Sequence, residues 1–96
     1  MNESRPKPIN SSITEVLTSL GLQGKLKQYE VLERWEEIVG EQIAKVTHAE
    51  TINEGKLFVS VSRSTWRNEL IFLKRELIAR INAAMQQDVV KDIIFR

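Results

Sequence analysis

Apolar residues recur along this chain with two different periods, and the changes of period mark its elements. Ile13, Val16, Leu17 and Leu20 follow one another at i, i+3, i+4 and i+7, the spacing that lines one face of an α-helix. Ser12 and Glu15 form a capping-box pattern ahead of them and Gly21 follows, so both ends of a short amphipathic helix are marked. After Gly24, a second helical stretch sets Leu32, Trp35, Ile38 and Val39 on one face and turns its glutamates elsewhere, which predicts a buried Trp35. Gly40 either ends that helix or lets another backbone approach closely, with Ile43 and Ala44 continuing the apolar face.

From Val46 the period falls to two. Thr47, Ala49 and Thr51 alternate with His48, Glu50 and Ile52; Asn53-Glu54-Gly55 supplies turn chemistry; Leu57, Val59 and Val61 then alternate with Phe58, Ser60 and Ser62. This predicts a β-hairpin. Ser64 and Thr65 are candidate caps for one long helix, whose stripe is Trp66, Leu70, Leu73, Leu77, Ile81 and Ala84, widened by Ile71, Ile78 and Met85. Residues 89–95 are β-branched and apolar and read as a last strand. The predicted order is α-α-β-β-α-β. It describes one α+β domain over residues 11–96, behind a flexible tail over residues 1–10 that holds Pro6 and Pro8. A three-stranded sheet packed on helices would bury Leu57, Val59, Val61, Ile93 and Phe95 against the stripe around Trp66 and Leu73, leaving Phe58 and Ile94 on the other sheet face.

Composition narrows the function classes. The chain is 42% hydrophobic and 28% charged with a net charge of +1, which suits a folded domain and excludes the strong overall field of a histone-like binder. The charge is unevenly placed. Residues 30–41 hold Glu30, Glu33, Glu36, Glu37 and Glu41 against Arg34, whereas residues 63–80 hold Arg63, Arg67, Lys74, Arg75 and Arg80 against Glu69 and Glu76, predicting one acidic and one basic helix. The sequence has no cysteine and a single histidine, His48, so no disulfide, metal site or cofactor is expected. No apolar run approaches the roughly 20 residues that span a bilayer and no signal-peptide core is recognisable, so the expected location is the cytoplasm, away from membranes.

Enzyme chemistry finds no support. His48 has no nucleophile elbow to serve, and Glu33, Glu36 and Glu37 fit the wet face of an amphipathic helix better than an acid–base pair. Gly21-Leu22-Gln23-Gly24 spells the GxxG by which K-homology domains clamp single strands, although a helix C-cap followed by a new helix start accounts for it more simply. The basic helix is the better candidate. Arg63, Arg67, Lys74 and Arg75 are candidate phosphate contacts, set against the alternative of a solvated face whose stems shield the core. Phe72 falls among Asn68, Arg75 and Glu76, away from the stripe. With Phe58 it is the candidate partner contact, set against the alternative that a second packing neighbour such as the N-terminal helix covers it.

One further pattern spans most of the chain. Trp35-Glu36-Glu37-Ile38-Val39-Gly40, Ile43-Ala44, Thr47-His48, Gly55-Lys56-Leu57-Phe58-Val59-Ser60-Val61, Ser64-Thr65-Trp66 with Glu69-Leu70, and a closing strand occur in this order and spacing. Together they resemble the DciA family of bacterial replication proteins. The resemblance implies a K-homology-like domain without a working clamp loop. It also implies a non-enzymatic role with two partners, DNA (single-stranded or forked) and the replicative helicase, which the protein would help to load. No small-molecule substrate is implied. Trp35, Gly40, Gly55, Leu57, Trp66 and Leu70 would then define the fold.

Overall fold

A computed structural model of the chain describes residues 23–96. The predicted helix from Ser12 to Leu20, and the tail before it, lie outside the described residues. The second predicted helix is divided into α1 (Gln23–Glu33), α2 (Trp35–Val39) and α3 (Glu41–Ala44). Gly40 makes the second break. Its φ of +94° disfavours any residue with a Cβ, and nothing lies within 4 Å of where a Cβ would stand, so conformation and not close approach is what glycine supplies here. Trp35 is buried as expected. Its indole Nε1 donates to Thr47 Oγ1 at 2.9 Å, and that hydroxyl donates to the Ile43 carbonyl at 2.7 Å, satisfying the polar edge of a core aromatic.

The hairpin consists of β1 (Thr47–Asn53) and β2 (Lys56–Val61). Glu54 and Gly55 both take positive φ, +53° and +83°, as the tight hairpin turns that match strand twist require. A Cβ on Gly55 would also meet the Lys91 side chain at 3.3 Å. The simple alternation predicted for β1 is interrupted. Ala49 pairs with Val59 but Thr51 pairs with Phe58, so Glu50 is the extra residue of a β-bulge. Without it Ile52 would share the outward face of His48 and Glu50; with it Ile52 is buried beside its partner Leu57.

The long helix predicted from Thr65 to Ala84 is two helices, α4 (Ser64–Phe72) and α5 (Lys74–Met85), broken at Leu73 with φ −90° and ψ 2°. Neither Ser64 nor Thr65 caps the first. Arg63 holds the N-cap position in extended conformation without a side-chain hydrogen bond. The apolar stripe works as predicted at Leu70, Leu77, Ile81 and Met85, all essentially inaccessible, whereas Ile71 is 51% exposed. The last strand is shorter than predicted. β3 covers Asp92–Phe95 and runs parallel to β2, giving the sheet order β1-β2-β3.

Val89 and Val90 precede β3 in an irregular segment yet are buried. Asn82 explains how. Its Oδ1 accepts from the amides of both Val89 and Val90 and its Nδ2 donates to the Val90 carbonyl, each at 2.9 Å, so backbone groups drawn into the core keep their partners. The result is a mixed α+β domain whose three-stranded sheet packs one face, through Leu57, Val59 and Ile93, on the helices. Among the described residues no helix is long and apolar enough to cross a membrane.

Candidate functional site

The structure separates the basic residues that the sequence places on one helix. The break at Leu73 leaves Arg63 at the N-cap and Arg67 in the first turn of α4, and Lys74 and Arg75 at the start of α5. Lys74 has its own partner, Asp92 at the start of β3, with Nζ 3.1 Å from Oδ1. Arg80 is likewise engaged, by Glu76 at 2.9 Å and by the Val39 carbonyl. Arg75 is exposed. Arg67 is partly buried, and its Nε is enclosed without a hydrogen-bond partner.

Arg63 instead meets residues from another part of the chain. Val46, in the turn between α3 and β1, accepts at its carbonyl from the Ser62 amide (2.9 Å) and the Ser62 hydroxyl (3.3 Å). This pair of bonds fastens the end of β2 to the start of β1 and sets Arg63 across from Lys45. The Trp35–Thr47–Ile43 hydrogen bonds hold the same turn from the core side. Between these walls lies an open groove of about 480 Å³ lined by Gln42, Lys45, Val46, Ser62, Arg63 and Trp66. A second depression, about 220 Å³, continues past Lys45, Val46 and Ser62 to His48 and Ser60. Among the described residues no carboxylate lines either one. A concave surface with two cations, hydroxyl and amide groups and one aromatic suits a polyanion with planar groups. Lys45 carries no signal in the sequence, because only the pairing of Ser62 with Val46 brings it to Arg63.

The two aromatic candidates differ in environment. Phe72 is 87% exposed at the helix break, beside Ile71. Phe58 is partly buried on the outer sheet face, under the Arg96 guanidinium 4.9 Å from its ring centroid. Arg96 is held there by Glu50, the bulge residue, at 2.7 Å, and this contact keeps the Glu50 carboxyl below its ordinary range.

Asp92 is also held below the usual carboxylate range, chiefly by the Lys74 hydrogen bond and further by the Ile93 amide. A depressed folded-state pKa contributes stability that is present above the unfolded value, about 4, and is lost as pH falls through the folded one. Thermal unfolding followed from pH 7 down to pH 2 should therefore show an acid-side loss of stability that is smaller in Asp92→Asn. Identical acid profiles for the two proteins would remove Asp92 from that role.

Comparison with known proteins adds a family. The family model described as "Dna[CI] antecedent, DciA" matches residues 8–95. A UPF0232 protein of Mycobacterium tuberculosis is 30% identical over 88 residues, covering 92% of this chain and 47% of that protein. A UPF0232 protein of Rhodococcus jostii matches at the same identity and coverage, and one of Mycolicibacterium smegmatis is 28% identical over 85 residues, 88% of this chain and 44% of that protein. The chain spans less than half the length of these relatives.

Proposed function

The chain belongs to the DciA family, and we propose that its domain is a non-enzymatic DNA replication factor that contacts DNA through the Lys45–Arg63 groove and the replicative helicase through the Ile71–Phe72 corner, assisting helicase loading. Family membership supports the link to replication. The observation that carries the DNA half is the groove itself, where two separate chain segments bring Lys45 and Arg63 together beside Trp66 with no carboxylate among the lining residues. Arg67 is not among the lining residues, and Lys74 is paired with Asp92. The helicase half rests on Phe72. A ring 87% exposed beside a half-exposed Ile71 finds no core to pack on among the described residues, and exposed apolar groups of this kind commonly mark a protein contact.

Titration of the protein against the replicative helicase of the same organism, with and without DNA, tests the reading. Saturable binding is expected, weakened about tenfold or more by Phe72→Ser, with the thermal stability of the variant retained because the ring is not part of the core. Absence of binding at concentrations up to roughly 100 µM, where weak transient complexes still register, would end the helicase half and leave a nucleic-acid-binding module.

A further inference from the structure

The groove contains more than phosphate binding requires. Charge and hydrogen-bond donors are sufficient for a backbone, which is contacted by Lys, Arg, Ser and Gln without any aromatic group. Here Lys45, Arg63, Ser62 and Gln42 provide that set, and Trp66 lines the same wall. Trp66 packs against the core yet remains partly exposed to the depression. The volume, about 480 Å³, falls within the range of roughly 300–1,000 Å³ of small-molecule sites.

We propose that this depression is a nucleobase site: one unstacked base lies against Trp66 while the phosphates on either side of it meet Lys45 and Arg63. The inference rests on the DNA reading above and makes it more specific. In a duplex both faces of each base are covered by its neighbours, so no base can reach an aromatic inside a depression without leaving the stack. The ligand is therefore a single strand, a frayed end or an extruded nucleotide. Base–aromatic stacking accepts any base because each has a π-face. The second depression shares Lys45, Val46 and Ser62 with the first and runs on to His48 and Ser60, giving the strand a continuous path beyond the stacked base.

A comparison of ligands tests this without altering the protein. Fluorescence anisotropy would measure the affinity of the full chain for a thymidine 12-mer and for an abasic 12-mer carrying the same phosphates on tetrahydrofuran sugars. The abasic strand is expected to bind about five- to a hundred-fold more weakly. In Trp66→Leu the ratio of the two affinities should fall towards one, while Trp66→Phe should keep most of the difference. Equal affinity of the unaltered protein for both strands would overturn the base site and leave the DNA reading standing. Binding of neither strand would overturn both.

Discussion

Asn82→Ala is expected to destabilise the domain by about 2–4 kcal/mol, one of the largest effects open to a polar residue in this chain. Three backbone groups depend on that side chain: the Val89 and Val90 amides and the Val90 carbonyl. Each buried polar group left unpaired costs roughly 1–3 kcal/mol, and the segment that carries these also buries Val89 and Val90. Alanine is a better helix former than asparagine, but that gain is only about 0.7 kcal/mol. Chemical denaturation would show a lower midpoint with an unchanged slope. Asn82→Asp should fall between, since one carboxylate oxygen still accepts from both amides while the other faces the Val90 carbonyl without a proton to share. A midpoint shift worth less than about 0.5 kcal/mol in the alanine variant, the usual size of a surface substitution, would mean that water replaces the amide at no cost.

The same residue illustrates what can and cannot be read from the chain. Periodicity identifies the core because burial imposes it: Leu57, Val59, Leu70, Leu77 and Ile81 are legible, and the Asn53-Glu54-Gly55 turn is legible because few residues tolerate positive φ. Asn82 is invisible, since its partners lie seven and eight residues ahead in a segment whose apolar composition imitates a strand. The break at Leu73 is hidden for a related reason. The apolar stripe continues across it without a glycine or proline, so neither periodicity nor a breaker residue announces the departure of Leu73 from helical ψ. The bulge at Glu50 is hidden because one inserted residue looks like one more alternation. The site follows the same division. Arg63 is recognisable as a candidate on a basic amphipathic helix, but Trp66 reads there as part of the core stripe, Lys45 joins them only through a strand pairing, and the engagement of Lys74 by Asp92 depends on a contact between the start of α5 and β3.

That geometry makes the charge test discriminating. Lys45→Glu with Arg63→Glu changes the groove by four units of charge at residues that lie on the surface, so the fold should persist while DNA affinity at low salt falls by about a hundredfold or more. Two phosphates neutralised on a single strand correspond to a salt slope of about −1.4, so the unaltered protein should lose about sevenfold in affinity between 50 and 200 mM salt. The double variant should show almost no salt dependence, because no condensed counterion is released. Lys74→Glu serves as the opposing case. Its ammonium already faces Asp92, so reversal should reduce stability by juxtaposing two carboxylates and leave DNA affinity nearly unchanged. If instead Lys74→Glu and Arg75→Glu abolish binding and the groove variant does not, the strand follows the start of α5, and the pairing of Lys74 with Asp92 is a contact that DNA displaces.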